Sequence, residues 1–367
     1  MEIRTFYDKT KRKKSKIVAI SVISVFSLLL ILLTSFVIFC VSISKPDEEN
    51  GSPIRYRMKN AFIDGDAKLV DVAMLGAHDA FANNIDKDSV IDPIEKNLSS
   101  KIPALRFLND GLYNAQKAYP YELLDYGVRY FDVRLSRHNG SWHVKHAFIA
   151  GDVKTYVEDI LRFLSENTGK IVLLDFQHVY YADNTFAALS SYVLGITYNG
   201  KTLADYAVKN DTNVSELTYK QATANDSKNA VIMFIKQREN ESLGKFFLDY
   251  ETNVRSTYHA AMTVKNTIRG IEKEYENLKN NPVDTFVVMQ AIPKILAGID
   301  GFSVNLNSKA TKDNIEYLSN PDFTEWLTQT PIFMVNNSIT TAHGFQRKAI
   351  SVISDFNKKL AKKTDEK

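Results

Sequence analysis

The run GVRYFDVRLSRHNGSWHVKHAFIAG, residues 127–151, decides how the rest of the chain is read. Val128, Tyr130, Asp132 and Arg134 alternate with Arg129, Phe131, Val133 and Leu135, which is the period of two of a strand. A carboxylate and a guanidinium therefore stand two residues apart on one face. Burying an unpaired charge is costly, so Asp132 and Arg134 must pair with each other or with a ligand. A turn at residues 138–140 leads into a second short strand, 142–146, that ends on His146. Carboxylate, guanidinium and imidazole at neighbouring strand ends make a phosphate site. An Asp-x-Arg pair on a strand is equally a structural ion pair, since both perturb pKa values in the same way, and the company it keeps has to separate the two.

Downstream, Val153, Val157, Ile160, Leu161 and Leu164 have the spacing of a helix over 153–167, stopped by Gly169. Residues 171–179, IVLLDFQHV, form a near-continuous apolar strand carrying Asp175, Gln177 and His178, as buried parallel strands do. Upstream, a strand is expected at 69–75, leading into Gly76-Ala77-His78-Asp79. Gly76 allows a tight bend there, and His78 falls where a barrel strand meets its loop, the place at which barrel enzymes keep catalytic groups. A lone histidine after a glycine is by itself more often a loop residue than a base, while Asp79 is placed to orient an imidazole. Residues 81–101 read as a polar loop and 116–126 as a helix. Further strands are expected at 230–235, 286–290, 302–306 and 332–335, with helices at 264–280 and 313–318. About eight strands alternating with helices predict a closed α/β barrel rather than an open sheet.

At 367 residues, 44% hydrophobic and 24% charged, the chain is globular and long enough for one large domain or two ordinary ones. The net charge of +3 is concentrated at the ends, in Arg4, Lys9, Lys11, Arg12, Lys13, Lys14 and Lys16 and again in Lys358, Lys359, Lys362, Lys363 and Lys367. No basic stripe crosses the middle, which leaves nucleic-acid binding without support. Residues 17–44 contain no charge, and at about 1.5 Å per residue they more than cover a hydrocarbon core of ~30 Å. A cleaved signal peptide is the other reading of such a run. Signal h-regions hold only ~7–15 apolar residues and end at a small-x-small site, which Phe39-Cys40-Val41 does not offer, so an uncleaved anchor is expected. Basic residues before it and Asp47, Glu48 and Glu49 after it place the N-terminus in the cytoplasm and the rest outside or in a lumen. Cys40 is the only cysteine and lies in the apolar run, so the exported part is expected to hold together without disulfides. The organisation read here is a basic tail (1–16), a transmembrane anchor (17–44), a linker (45–65), a catalytic barrel (66–345) and a basic C-terminal helix or tail (346–367).

Taken as a set, Gly76-Ala77-His78-Asp79, Gly127 through Arg134, His146, and Leu173-Leu174-Asp175-Phe176-Gln177-His178 resemble the X region of phosphatidylinositol-specific phospholipase C. The similarity is to the bacterial enzymes and the small X-domain-only proteins, and it covers roughly residues 66–338 with order and spacing kept. The resemblance implies a distorted TIM (β/α)8-type barrel, here preceded by a single N-terminal transmembrane helix. It implies that His78 is the general base taking the proton of the inositol 2-hydroxyl, and that His146 is the acid protonating the departing diacylglycerol oxygen. Arg134 would hold the phosphoryl oxygens, Asp132 would fix Arg134, and Asp79 would orient the acid. Calcium-dependent members of the wider family carry carboxylates where Arg134 stands, so no metal or other cofactor is expected. Partners implied are a phospholipid at a membrane surface and the chain's own anchor, with a monomeric state and no nucleic acid.

The chain departs from the family pattern at several places. Asn336 stands where the bacterial enzymes have an Asp that supports the base; it accepts a hydrogen bond but brings no charge. Ala291, Ile292 and Pro293 follow the strand on which the bacterial site carries a ring-binding Asp and Tyr. Gln177 replaces a charged residue, and Lys236 aligns loosely with a basic substrate-binding position. With Asn336, these are the expected substrate contacts. A membrane-tethered binding barrel without turnover, or a phosphodiesterase of different head-group specificity, is the alternative these departures keep open.

Overall fold

The computed structural model describes residues 18, 20–38, 52–55, 66–94, 103–259, 261, 263–292 and 310–364. The strand expected at 302–306, Cys40, Pro293 and the basic residues of the N-terminal tail lie outside the described residues. Near the start of the chain, Ile20–Ile38 forms a 19-residue helix long and apolar enough to cross a membrane.

The strands are β1 (Met74–Ala77), β2 (Val128–His138), β3 (Ser141–His146), β4 (Phe148–Asp152), β5 (Ile171–Tyr180), β6 (Ala230–Ile235), β7 (Phe247–Asp249), β8 (Val254–Thr257), β9 (Phe286–Gln290) and β10 (Ile332–Val335). Eight of them run parallel in the spatial order β7-β6-β5-β2-β1-β10-β9-β8, which is chain order around a ring. β3 and β4 form an antiparallel flap on β2. Helices α1 (Val153–Glu166), α2 (Phe186–Gly195), α3 (Val264–Asn280), α4 (Ala310–Leu318) and α5 (Phe345–Thr364) occupy connections or the C-terminus. The architecture is thus a TIM-like parallel barrel, with one difference from the closed ring expected. Among the described residues no register joins β7 to β8. Only the one-turn helix Tyr250–Asn253 separates them, whereas pairing two consecutive strands in parallel takes a crossover of about a dozen residues or more.

Two other expectations shift. The segment 69–75 is not one strand: Leu69–Asp71 is a 3-10 turn and pairing begins at Met74. The reason is Asn357 on α5, whose Oδ1 accepts from the Ala73 N–H (2.8 Å) and whose Nδ2 donates to the Ala73 carbonyl (3.0 Å), taking both groups a ladder would use. The helix expected over 116–126 is only Pro120–Asp125. Pro120 occupies its first turn, and a residue before proline avoids the α region, so Tyr119 is extended (φ −79°, ψ 164°).

Apolar side chains sort into two clusters that alternate along the strands. Met74, Tyr130, Leu173, Ile232, Phe234, Val288, Ile332 and Met334 belong to one. Leu75, Phe131, Val133, Leu174, Met233, Phe333 and Val335 belong to the other, together with Val153, Val157, Ile160 and Leu161 of α1. The cluster that includes helix residues is the layer between sheet and helices, so the first fills the ring. Each large side chain buried this way contributes roughly 1.5–3 kcal/mol. Gly76 belongs to the inward column: a Cβ there would lie 3.2 Å from Met334 Cα and 3.3 Å from Tyr130 Cδ1. It serves close packing inside the ring and not the bend expected from sequence. Arg129 is the extra residue where the register of β1 on β2 slips. Its guanidinium is turned out onto the Phe163 ring and donates to the carbonyls of Leu124 (2.6 Å) and Val128 (2.7 Å).

Helix α5 also grips the segment that follows the undescribed residues 39–51. Gln346 accepts from the Ile54 N–H (3.0 Å) and donates to the carbonyls of Ile54 (2.8 Å) and Tyr126 (2.9 Å), and Arg55 pairs with Asp125 at 2.9 Å. Gln346 and Asn357 are eleven residues apart, about three turns, so both main-chain clamps lie on one helix face.

Candidate active site

Continuing the inward columns to the carboxyl ends of the strands brings polar side chains together at the mouth. His78 and Asp79 follow β1, Asp132 and Arg134 lie on β2, His146 closes β3 and Asn336 follows β10. Asp79 has φ 43°, the left-handed region, and its N–H donates to Asp132 Oδ2 at 3.2 Å, so the turn after β1 is tied to β2. Between Asp132 and Arg134 the pairing of β2 with β5 slips, setting two residues of β2 against three of β5. Bulges of this kind re-aim side chains beside functional sites.

Arg134 is the hub. Its Nε pairs with Asp79 Oδ1, and its Nη2 lies 3.0 Å from Asp132 Oδ2 and 3.0 Å from His78 Nε2. Both carboxylates are buried, while the guanidinium side chain is 25% exposed and so faces the mouth. A guanidinium can only donate, so His78 Nε2 carries the lone pair and its proton sits on Nδ1, which donates to Asn336 Oδ1 at 2.8 Å. The buried Gln116 fixes the main chain beneath this pair. Its Nε2 donates to the carbonyls of His78 (2.9 Å) and Val335 (3.1 Å), and its Oε1 accepts from the N–H and hydroxyl of Ser338 (3.0 and 2.9 Å).

His146 approaches from the other side. Its Nδ1 donates to the Tyr113 carbonyl at 2.7 Å, and its Nε2 is 3.2 Å from Asp79 Oδ2, the same oxygen that lies 3.5 Å from His78 Nε2. The two imidazoles therefore share one carboxylate oxygen, while Arg134 pairs with the other oxygen of that carboxylate. Burial pushes the Asp79 carboxyl upward, but Arg134, His146, His78 and His178 outweigh it and hold the group well below the usual carboxylate range. For His146, burial wins: with Arg134 and His78 it pushes the imidazole below its ordinary 6.5, against the upward pull of Asp79 and the Tyr113 carbonyl.

Those directions give a sign for stability. Below pH 6.5 the unfolded chain protonates its histidine more readily than the folded site does, so His146 draws stability down as pH falls toward its folded value. Asp79 acts in the same direction lower on the scale, contributing above its unfolded value near 3.8 and losing that as pH falls through its lower folded one. The slope of melting temperature between pH 7 and 5 should therefore flatten in His146→Gln, as thermal unfolding at several pH values would read. An unchanged slope would mean that another group titrates there.

His78, Asp79 and Asp132 offer ligand atoms within 4.8 Å of one another, the spacing of a cation site. The guanidinium of Arg134 pairs with both of those carboxylates, so a fixed cation already stands where a metal ion would be held.

No family model matches the chain. Among curated proteins, a PI-PLC X-box domain-containing protein of Dictyostelium discoideum is 28% identical over 152 residues, 41% of this chain and 20% of that protein. PI-PLC X domain-containing protein 2 of Homo sapiens is 28% identical over 124 residues, covering 32% of this chain and 41% of the human one. The chain thus spans less than half the length of the curated relatives it matches. Among solved structures, a variant phosphatidylinositol-specific phospholipase C from Staphylococcus aureus superposes with a TM-score of 0.52 at 13% identity, over 78% of this chain and 92% of that one. A double mutant of the same enzyme gives 0.52 at 12%, over 81% and 95%. The chain is thus similar in part of its sequence to PI-PLC X-domain proteins and in fold to a bacterial phosphatidylinositol-specific phospholipase C.

Of the three expected substrate contacts, the structure describes two side chains, Asn336 and Lys236. Asn336 is buried and accepts from His78 Nδ1, so it supports the imidazole. Lys236, just past β6, is exposed and paired with Glu251 at 2.6 Å, apart from the histidine cluster; it lines a shallow cleft with Phe176, Val179, Tyr181 and Arg238. Gln177 lies on β5 beside the bulge, and its side chain is outside the described residues. Ala291 and Ile292 are buried in the core. Tyr258, just past β8, is 41% exposed. Its phenol is raised by burial and feels the charges of both Arg134 and Asp79. His178, opposite Arg134 in the β2–β5 register, is a third imidazole at the rim. Neither placement was readable from sequence, because β8 is four residues long with no alternating pattern and the bulge changes which residues of β5 stand opposite Arg134.

Proposed function

We propose that this protein is a metal-independent phosphodiesterase that cleaves phosphatidylinositol, or a closely related phospholipid, into diacylglycerol and a cyclic inositol phosphate. The observation that carries the reading is the pair of imidazoles whose Nε2 atoms share Asp79 Oδ2, with Arg134 bonded to the same carboxylate and to His78. The His78 Nε2 lone pair takes the proton of the inositol 2-hydroxyl as that oxygen forms its bond to phosphorus. Arg134 meets the charge that develops on the phosphoryl oxygens. As the bond from phosphorus to the glycerol oxygen breaks, His146 Nε2 delivers a proton to it. The two acceptors on His146, the Tyr113 carbonyl and Asp79, satisfy both N–H groups of an imidazolium. Burial disfavours that form in the empty site, and the incoming phosphodiester anion offsets the penalty. Asp79 and Asp132 orient the acid and the arginine.

The neutral Asn336 behind His78 favours a second reading, a barrel that binds the head group without turning it over. Labelled phosphatidylinositol in vesicles, beside phosphatidylcholine and phosphatidylglycerol, separates the two. Water-soluble cyclic inositol phosphate should be released from the inositol lipid. Counts equal to a heat-killed control for every head group would leave only binding.

The helix Ile20–Ile38 is, in this proposal, an uncleaved single-pass anchor with its basic flank in the cytoplasm and the barrel outside. Protease added to intact cells should remove the barrel. Loss of the N-terminal tail with the barrel protected would reverse the orientation.

A further inference from the structure

Lys145 immediately precedes His146 on β3 and is only 5% exposed, with its Nζ 3.5 Å from Oδ1 of Asp92, itself 1% exposed. Removing two charges from water is expensive, and an apolar pair of the same size would pack there at less cost, so stability alone does not account for the pair.

The neighbourhood supplies a reason. β3 turns into β4 through a single residue, Ala147, whose φ of 60° lies in the left-handed region that a side chain resists. The turn next to His146 is therefore held from outside. The Asp92 N–H donates to the Ala147 carbonyl (3.1 Å), the Ile149 N–H donates to the Val90 carbonyl (2.8 Å), and Ile91 bridges Phe148. Asp92 Oδ1 also accepts from the Ile94 N–H at 3.1 Å, which closes the loop on itself. The same β1–β2 connection supplies the Tyr113 carbonyl bonded to His146 Nδ1. Lys145 thus ties the residue before His146 to the loop that holds the residue after it. The β3–β4 register slips at this point, so the ladder alone does not fix the end of β3.

We infer that Lys145 and Asp92 are a positioning pair for His146, locking the β3–β4 turn so that the imidazole Nε2 stays aimed at the leaving oxygen. The inference rests on reading His146 as the general acid. Neither Lys145 nor Asp92 touches the substrate; they act through the turn.

The test compares phosphatidylinositol, whose glycerol oxygen needs a proton to depart, with a nitrophenyl ester of inositol phosphate, whose leaving group does not. In Asp92→Asn and Lys145→Met the ratio of the first rate to the second should fall about tenfold or more, the size of effect that misplacing a catalytic group produces. Lys145→Arg, which keeps a cation within reach of Asp92, should retain the wild-type ratio. If Lys145→Met does not fold, Asp92→Asn and the double variant Lys145→Met/Asp92→Asn carry the comparison. Equal losses on both substrates accompanied by lower melting temperatures would overturn the proposal and leave a structural ion pair. His146→Ala is run alongside: if it shows no selective loss, the acid assignment itself falls and takes the positioning role with it.

Discussion

Arg134→Ala should lower kcat by on the order of 10³-fold or more, the scale of an arginine that meets transition-state charge in phosphoryl transfer, while a chelator should leave the wild-type rate unchanged. Both halves follow from one geometry. The guanidinium pairs with Asp79 and Asp132 and touches His78, so a single cation serves as counter-charge to two buried carboxylates while remaining 25% exposed. Its loss leaves both carboxylates without that counter-charge. Breaking a buried pair this way costs roughly 3–5 kcal/mol, so rates have to be compared at a temperature where circular dichroism shows the variant folded. Arg134→Lys keeps the charge and loses the planar fork, and should recover stability more than activity. Calcium restoring activity to chelated wild-type protein would overturn the fixed-cation account.

His78→Ala should abolish turnover of every substrate, whereas His146→Ala should fail on phosphatidylinositol and be rescued in part on a nitrophenyl leaving group. Proton transfer of this kind contributes about 10²–10⁴-fold for each group, and only the leaving-group proton can be dispensed with. The tautomer supports the division: His78 Nε2 accepts from Arg134 and so has a lone pair to offer, while both nitrogens of His146 face acceptors and so suit an imidazolium. Activity should rise and then fall with pH, and the two limbs belong to the coupled pair and not to either residue singly. Equal losses in both variants on both substrates, or no loss in either, would make the assignment wrong.

Much of this was legible in the chain because barrel strands obey a simple pattern. The strands 230–235, 286–290 and 332–335 and the helix 264–280 have the bounds their apolar runs suggest. The histidines, both aspartates and the arginine meet because the parallel order sets the end of β1 beside the middle of β2, where Asp132 and Arg134 lie, and the antiparallel β3 brings His146 back to them. What escaped was set by contacts distant in sequence. Asn357 takes the main-chain groups of Ala73 and so delays β1, and no local pattern near residue 73 announces that. β7 and β8 are too short to show a period, which hid both the open seam and Tyr258. Lys145 and Asp92 find each other across 53 residues, beyond the reach of any local signal. The shortened helix at Pro120 is different, since the proline was there to be weighed.

The grip of α5 on Ile54 sets the length of a leash. From Ile38, the last residue of the apolar helix, to Ser52 there are fourteen main-chain steps, and at ~3.3–3.6 Å per step even a fully stretched chain reaches only about 50 Å. The two main-chain bonds from Gln346 are what hold the chain at Ile54. If Ile20–Ile38 is the anchor proposed above, one glutamine amide on the C-terminal helix helps fix the point at which the barrel is tethered. Because effective concentration falls steeply as a tether lengthens, such an anchored barrel would owe part of its encounter rate with a membrane surface to that one contact.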